Sequence, residues 1–264
     1  MLYSRVFYAF SCRILLFALN LHVANNLYFR YMVKKETFSV QEVIAQLDIT
    51  NLLTEQQVEE LRKSVSVLRF KKNQPIYEEG DVPRYMLCVL KGKVKIFKEG
   101  VGGRTQIVRV LKASEHFGYR AYFANQNYIT GAAAFEASVI CRIPMEDIER
   151  WMSRNIQLAL YFVKQLSVDL GVSDQRTVSL TQKHIRGRLA ESLLFLRDTY
   201  GLEEDGATLS IYLSREDLAS LSNMTTSNAI RTLSAFAAER LIAIDGRKIK
   251  LIDEEALKRT SKNG

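Results

Sequence analysis

The segment Leu213–Leu233 constrains the fold most, because it has the pattern of two short helices joined by a tight turn. Ser214 suits the N-cap of the first helix, and Asp217 stands where an acid helps to complete a capping box. Asn223 falls in the turn, where a positive φ angle is often required. Thr225 is a plausible second N-cap, so the pattern predicts a helix-turn-helix.

The second predicted helix begins with small polar side chains and carries an arginine one turn later. Ala229, Ile230 and Leu233 are expected on its inner, packed side. The first residues of such a helix lie against base edges in the major groove, where Asn and Arg can each bond a base bidentately. Side chains that begin the first helix are better placed for phosphate. The predicted DNA contacts in this motif are Ser214, Arg215, Thr225, Thr226, Ser227, Asn228 and Arg231.

A predicted β-hairpin follows the two helices. The apolar runs Leu241–Ile244 and Ile249–Ile252 flank Asp245-Gly246, a strong two-residue turn signal. Arg247 and Lys248 give this hairpin positive charge and are predicted to contact DNA as well. A helix-turn-helix followed by a basic hairpin is a winged helix. The alternative is a ligand-binding or structural protein whose helical pair mediates only protein contacts, which a test of salt-dependent DNA binding would distinguish.

The net charge of +8 does not by itself indicate DNA binding, because it is unevenly distributed. Residues 1–35 carry five basic and no acidic side chains, whereas residues 183–264 carry 13 basic and 12 acidic ones. Only a local arrangement of Arg and Lys can therefore support an interaction with nucleic acid.

Cysteine and histidine are too few and too scattered for several kinds of site. Cys12, Cys88 and Cys141 suit a reducing cytoplasm, and three cysteines cannot form a four-cysteine iron–sulfur cage. Cys88 and Cys141 fall in predicted strands and are expected to be buried and inert. The three histidines have no metal-ligand spacing, so we expect neither a metal site nor an enzyme.

Residues 1–31 differ from the rest of the chain. The stretch from Val6 to Ala24 is largely apolar, but Arg13 interrupts it and would cost about 2.5–3.5 kcal/mol at the centre of a membrane helix. Export by a signal peptide would contradict DNA binding. Residues 1–31 are interpreted as an over-called start or an anomalous extension, with Met32 as a natural start; a membrane-tethered regulator is the alternative.

The residue pattern changes twice in the middle of the chain, from helical to strand-like and back to helical. Thr37–Leu47 and Thr54–Val65 read as short amphipathic helices. From Leu68 to Ile143, short apolar runs alternate with turn residues, which predicts an antiparallel barrel or sandwich. Met145 to Thr199 is predicted to be helical.

Within that helical segment, apolar and small side chains recur at alternating spacings of four and three. The pattern runs through Ala159, Val163, Leu166, Leu170, Ser173, Thr177, Leu180 and His184. Such a heptad seam is typical of a helix paired lengthwise with a partner, although a helix packed on its own barrel is the alternative. The predicted organisation is a sensor barrel with N-terminal helices over 32–144, a dimerisation helix over 145–183 and a winged helix-turn-helix over 184–264.

In this order, the elements resemble the cyclic-AMP receptor protein and fumarate–nitrate regulator (CRP/FNR) superfamily of bacterial transcription regulators. The resemblance covers about Asn51 to Asp253 and rests on the order and spacing of short matches. These are Ile76–Asp81, Val89–Val94, Gly103-Arg104, Phe117-Gly118, Arg186–Ala190 and Leu213–Leu233. The resemblance implies an α+β fold with an N-terminal jelly-roll barrel of the cyclic nucleotide-binding kind, a long dimerisation helix and a C-terminal winged helix-turn-helix.

The resemblance also implies a cytoplasmic homodimer that binds two-fold related half-sites in double-stranded DNA. Its other expected partners are RNA polymerase and a small-molecule effector of unknown identity. The family's base-reading positions fall at Thr226, Ser227 and Arg231. Members that bind the consensus operator usually carry charged residues at the first two positions, so a different site preference is expected here.

The expected effector pocket departs from the family pattern. Nucleotide-binding members follow Phe-Gly with a glutamate for the ribose and later carry Arg-Ser or Arg-Thr for the phosphate; Tyr119 and Ile129-Thr130 stand at those places. Each lost charge-assisted bond costs about 1.5–3 kcal/mol. We therefore predict that cyclic AMP is not bound in the family manner. The predicted pocket residues are Phe117, Gly118, Tyr119, Arg120, Ile129, Thr130, Ser173 and Asp174.

Two alternatives concern the trigger. Some family members hold haem in the sensor domain, which here would use axial ligands such as His116 or His184. The other alternative is a regulator that acts without an effector.

Overall fold

The computed structural model describes residues 38–263, so the extension predicted at 1–31 lies outside the described residues. Two helices open the described chain: α1 spans Val40–Gln46 and α2 spans Glu55–Ser64. Each begins with a capping box, in which a hydroxyl before the helix and an acid or amide in its first turn satisfy each other's backbone amides. These helices confirm the amphipathic pattern of the sequence.

Eight strands follow and form two antiparallel four-stranded sheets. One sheet has the strand order β1-β8-β3-β6 and the other β2-β7-β4-β5. This is the predicted jelly roll, formed as two packed sheets with no closed ring of strands among residues 38–263. The strands are β1 Ser66–Phe70, β2 Pro75–Tyr77, β3 Tyr85–Lys91, β4 Val94–Glu99, β5 Thr105–Leu111, β6 His116–Phe117, β7 Gly131–Ala134 and β8 Ser138–Pro144.

Strand β3 is shared by two hydrophobic cores. Successive side chains of a strand point to opposite faces of the sheet. Met86 and Cys88 therefore pack with the N-terminal helices, whereas Leu87 and Val89 pack against the second sheet. This double burial explains why the strand reads as a continuous apolar run rather than an alternating one.

The segment predicted to be helical from Met145 to Thr199 is three helices. They are α4 at Met145–Met152, α5 at Ile156–Gln182 and α6 at Ile185–Tyr200, and a short helix, α3 at Tyr119–Phe123, precedes them between β6 and β7. Asn155 separates α4 from α5, because its side-chain oxygen accepts the backbone amides that begin α5.

Helix α5 is 27 residues long, and its predicted heptad seam divides between two environments. Val163 and Leu170 are 60% and 63% exposed, as a surface that pairs with another chain requires. Leu166 also packs on the N-terminal core, and the positions that line a cavity described below are Leu166, Leu170, Ser173, Thr177 and Leu180. The paired-helix pattern therefore mixes internal packing with an exposed apolar line.

The C-terminal part contains the predicted motif. Helices α7 at Arg215–Leu221 and α8 at Thr226–Ala238 are followed by the hairpin β9 Ile242–Asp245 and β10 Lys248–Leu251, and by α9 at Glu254–Asn263. Asn223 has a φ angle of +49° in the turn between α7 and α8, as predicted. Gly246 has a φ of +55° in the hairpin turn, a conformation that costs glycine little.

The sensor sheets and the C-terminal part are in direct contact. Ile107, Val110 and Phe135 belong to the same hydrophobic cluster as the C-terminal helices. Beside them, the Lys95 ammonium on β4 lies 2.9 Å from the Asp217 carboxylate on α7, and both side chains are mostly buried. Side-chain contacts as well as the chain connection therefore join the β-sheets to α7.

Candidate nucleic-acid interface and effector cavity

The outward face of α8 carries the predicted base-reading residues. Thr226, Ser227 and Arg231 are exposed, and Asn228 is half-exposed. The Arg231 guanidinium donates to the side-chain oxygen of Asn228, its neighbour across one helical turn. Thr225 lies at the same end, but its hydroxyl accepts the Asn228 amide at 3.2 Å as the helix cap.

The prediction that Ile230 packs inward is wrong. Its side chain is 48% exposed, and Thr232 is buried on the inner stripe with Ala229 and Leu233. Consecutive residues of a helix are about 100° apart, so the position after a buried alanine can turn outward. Ile230 therefore lies one turn beyond Thr226 on the exposed face of α8.

Ser214 and Arg215, the predicted phosphate contacts on the first helix, both have partners within the chain. The Ser214 hydroxyl donates to the Asp217 carboxylate at 2.6 Å and accepts the Asp217 amide at 3.0 Å. The Arg215 guanidinium donates to the Gly246 carbonyl at 2.8 Å. Ser214 is thus a helix cap, and Arg215 ties α7 to the hairpin turn.

The hairpin presents two cations to solvent. Arg247 is exposed, and it forms no ion pair with any of residues 38–263. Lys248 is also exposed; its ammonium lies 3.4 Å from the Glu203 carboxylate and over the Tyr212 ring. Because exposed ion pairs of this kind are weak, the Lys248 ammonium can leave Glu203 to contact a phosphate. Arg247 has no ion pair among the described residues to break.

A cavity of about 610 Å³ lies between the β2-β7-β4-β5 sheet, α3 and α5. Small-molecule sites have volumes of about 300–1,000 Å³, so a ligand of that class fits. Six of the eight predicted pocket residues line it: Phe117, Gly118, Tyr119, Arg120, Thr130 and Ser173.

The other two predicted pocket residues, Ile129 and Asp174, do not line the cavity. Ile129 is 48% exposed on the loop before β7 and points away from the cavity that its neighbour Thr130 lines. Asp174 is exposed, and it lies about 100° further round α5 than Ser173, away from the cavity lining. Adjacent positions in sequence thus fall on different surfaces.

Aromatic residues that the sequence reasoning did not assign form much of the wall. Tyr77 and Tyr128 stack with ring centroids 3.7 Å apart, and Phe117 packs against Tyr77. Burial raises the pKa of Tyr77 and of Tyr119 to about 12, and it also raises the pKa of Tyr128. These phenols are therefore neutral at physiological pH. Of these wall residues, Tyr77 could have been assigned from the sequence, because it lies inside the segment Ile76–Asp81 that carries the family resemblance.

The cavity also holds charged side chains that the sequence reasoning missed. Arg109 on β5 donates to Asp169 on α5 at 2.5 Å, and Arg176 lies two turns beyond Asp169 on the same helix. The spacing of Asp169, Ser173 and Arg176, at intervals of four and three, places them on one helical face. That spacing was visible in the sequence, whereas the partner strand was not.

Gly118 has a φ angle of +87° where the chain enters α3. A Cβ atom there would lie 3.0 Å from the Tyr128 hydroxyl and 3.0 Å from the Tyr85 carbonyl oxygen. Glycine therefore permits both the left-handed backbone and the close approach of the aromatic wall.

The candidate haem ligands lie elsewhere. His116 is buried, and its Nδ1 atom lies 3.4 Å from the Tyr161 hydroxyl; burial lowers its pKa to about 4. His184 is exposed before α6. Neither lines the cavity, and its lining includes no His, Met or Cys from residues 38–263. The residues present thus do not form the axial pair considered from the sequence.

Cys88 and Cys141 are both buried, as predicted. They stand opposite each other on β3 and β8. A hydrogen bond in which the Cys88 thiol donates to Cys141, together with burial, raises the pKa of Cys88, which disfavours its reactive thiolate form. Within the described part of the chain, no helix has the length and apolar character that spanning a membrane requires.

Comparison with known proteins identifies both parts of the chain. Residues 67–155 match the cyclic nucleotide-binding domain, and residues 187–260 match the Crp-like helix-turn-helix domain. A CRP-like cAMP-activated global transcriptional regulator from Mycobacterium tuberculosis is 21% identical over 224 residues, which cover 84% of this chain and 100% of the relative.

Two solved structures share the fold. FixK2 from Bradyrhizobium japonicum superposes with a TM-score of 0.68 at 20% identity, covering 74% of this chain and 96% of FixK2. A CRP/FNR-family transcriptional regulator from Thermus thermophilus superposes with a TM-score of 0.59 at 22% identity, covering 75% and 99% of the two chains.

A cyclic nucleotide-binding β-domain, a long helix and a Crp-like helix-turn-helix, in this order, define a DNA-binding transcription regulator. The chain belongs to the CRP/FNR superfamily. This family consists of transcription regulators that bind DNA and act as dimers, and not of enzymes.

Proposed function

We propose that this chain is a cytoplasmic homodimer that reads its operator through α8 and responds to an effector other than cyclic AMP bound in the family manner. The exposed polar face of α8 carries the first part of the proposal. Thr226, Ser227 and Arg231 are available to base edges, and Arg247 and Lys248 are available to phosphate.

The dimer is proposed from the exposed apolar line on α5. Ile156, Leu160, Val163 and Leu170 are between 52% and 67% exposed, at intervals of four, three and seven. A contiguous apolar surface of this kind on one helix favours pairing with a second copy. Two-fold symmetry would then set two recognition helices about one turn of DNA apart. RNA polymerase is a further proposed partner, on family grounds alone.

The trigger is proposed from the composition of the cavity. The family's phosphate-binding arginine position is occupied by Ile129, which does not line the cavity, and its ribose-binding glutamate position by Tyr119, whose pKa is raised by burial. The relative from Mycobacterium tuberculosis is named as cAMP-activated, but this chain lacks those two charged groups. The cavity is nevertheless large enough for a ligand, which favours an effector over effector-independent action. The lining gives no support to the haem alternative.

Calorimetric titration of the purified chain with cyclic AMP tests the trigger. We expect no binding at micromolar concentrations, because the phosphate would meet no arginine at the family position. Micromolar affinity would overturn this part of the proposal. Binding to promoter DNA that falls steeply with salt would support the DNA-binding part independently.

A further inference from the structure

One half-buried cation of the cavity lining has no ion-pair partner among the described residues. The lining includes three arginines but a single aspartate. That aspartate, Asp169, is paired with Arg109 at 2.5 Å, and Arg120 is exposed to solvent. Arg176 is half-buried on α5, and no carboxylate among the described residues lies within ion-pair distance of it.

Backbone carbonyls hold Arg176 in place. Its guanidinium donates to the carbonyl oxygens of Ile107 at 2.6 Å, Val108 at 2.8 Å and Leu221 at 2.9 Å. These bonds use the two terminal nitrogens, so the Nε–H has no acceptor among residues 38–263. Burial lowers the pKa of Arg176, and the charge of Glu191, which lies beyond ion-pair distance, only partly opposes this shift.

The cavity lining also includes several aromatic residues. Phe117, Tyr119 and the stacked pair Tyr77 and Tyr128 line the cavity, and the phenols are neutral. Aromatic walls favour flat apolar groups through stacked and edge-on contacts. A ligand that fills this space thus meets aromatic rings and a guanidinium that has no ion-pair partner among the described residues.

We propose that the cavity binds a small aromatic molecule that carries one acidic group, a carboxylate or a phosphate, but no ribose, and whose charge pairs with Arg176. This inference rests on the proposed function, in which the cavity is the effector site. The anion would accept from the free Nε–H and one terminal N–H, the geometry in which arginine binds planar acids.

The same guanidinium reaches the DNA-binding part, because Leu221 is the last residue of α7. An acid that draws Arg176 into the cavity competes with the Leu221 carbonyl for this donor. Ligand binding would therefore weaken one tie between the sensor and the helix-turn-helix. By linkage, DNA and ligand must alter each other's affinity by the same factor.

The test uses the full chain and two matched pairs of probes. Phenylacetate is compared with neutral phenylacetamide, and phenyl phosphate with neutral benzyl alcohol, by calorimetry at constant ionic strength. We expect at least one acid to bind about 10-fold more tightly than its neutral counterpart. Arg176→Gln should remove this preference, whereas Arg154→Gln, which deletes an exposed charge roughly 30 Å away along α5, should keep it.

The wild-type comparison alone can overturn the inference, so it does not depend on the folding of Arg176→Gln. Acids that bind no better than the neutral probes, or that fail to bind, would contradict it. A preference retained in folded Arg176→Gln would contradict it as well. Failure of the proposed function looks different, because sequence-specific DNA binding would then be missing with and without probe.

Discussion

The outward face of α8 and the effector cavity are built in different ways. The first is a single helix of 13 residues, whose capping residue, buried stripe and exposed polar positions are neighbours in sequence. The second draws its lining from strands, a short helix and α5, from Tyr77 to Leu180. A local pattern can therefore identify what the chain does with DNA, while the trigger depends on contacts between distant segments.

The largest effect on DNA binding is expected from a substitution that prevents dimer formation. Val163→Asp places a charge on the exposed apolar line of α5, away from the cavity lining. We expect a monomer whose DNA affinity falls by about 100-fold or more, because the second half-site no longer binds at high effective concentration. Ultracentrifugation and DNA-binding anisotropy measure the two effects.

Lys164→Asp introduces the same residue one position further on, outside the apolar line, and serves as the control. It should leave the dimer intact. Val163→Asp protein that remains dimeric would show that α5 is not the interface.

A substitution in the cavity wall should instead lower the stability of the protein and leave its DNA sequence preference unchanged. Gly118→Ala combines a φ of +87° with a Cβ atom 3.0 Å from the Tyr85 carbonyl oxygen. We expect the free energy of unfolding to fall by about 2 kcal/mol, while the folded protein keeps its preference among DNA sequences. Urea unfolding and binding-site selection report these two quantities.

Gly80→Ala is the matched control, since Gly80 has a φ of +91° but no atom within 4 Å of the added Cβ. Gly80→Ala should lower the free energy of unfolding through backbone strain alone, because the added Cβ meets no neighbouring atom. Equal losses for the two variants would mean that the Gly118 contact with the aromatic wall is unimportant.

A smaller effect is expected from Ile230, the residue whose exposure the sequence reasoning missed. An apolar side chain on a recognition helix can contact the C5-methyl group of thymine. Ile230→Ala should then weaken operator binding about 4-fold, corresponding to about 0.8 kcal/mol for one lost methyl contact. Replacing the contacted thymine by uracil should weaken the wild type and leave Ile230→Ala unchanged.

If no thymine-to-uracil replacement discriminates between the wild type and Ile230→Ala, the exposed isoleucine does not read a methyl group. The control is Ser234→Ala, on the same exposed side one turn further along α8. It should not alter the response to uracil at that thymine.

A last prediction concerns the ion pair between β4 and α7. Burial alone would raise the pKa of Asp217, but hydrogen bonds from Lys95 and Ser214 and the Lys95 charge hold it below the ordinary value. The stabilisation is therefore present above the unfolded-state pKa and lost as pH falls through the folded-state pKa. Lys95→Met leaves the mostly buried Asp217 carboxylate without its cation and should cost about 1–3 kcal/mol at pH 7, and this difference should shrink in acid.

Lys98→Met removes an exposed lysine paired with Glu79 and should have almost no effect on unfolding at either pH. A Lys95→Met cost that grows as the pH falls would contradict the assigned sign.

The same contrast explains what could be predicted. Ser214, Asn223 and Thr225 act on their own neighbours, so the two helices and the turn follow from local capping and backbone rules. The prediction for Ile230 was wrong because a shift of one position on a helix moves a side chain from the buried to the exposed face. The apolar character of isoleucine does not show on which face it lies. Ile129 and Asp174 do not line the cavity, although their neighbours Thr130 and Ser173 do, because the sequence match does not specify which way each side chain points.

Other features required the fold itself. The pairing of Arg109 with Asp169 joins β5 to α5, and the bonds of Arg176 join three segments. No pattern within either segment specifies the partner. The jelly roll was predictable as a series of strands and turns, but the cavity beside it was not.

Binding of the selected operator by the wild type, Arg231→Ala and Lys248→Ala tests the central claim, that α8 reads the DNA sequence, most directly. The duplex and single-base variants of it are compared by anisotropy across a range of salt. Arg231→Ala should lose about 1–3 kcal/mol on the operator and relax the preference at one base pair, whereas Lys248→Ala should weaken all duplexes alike and reduce the salt slope by about one. An unchanged site preference in Arg231→Ala would contradict the account.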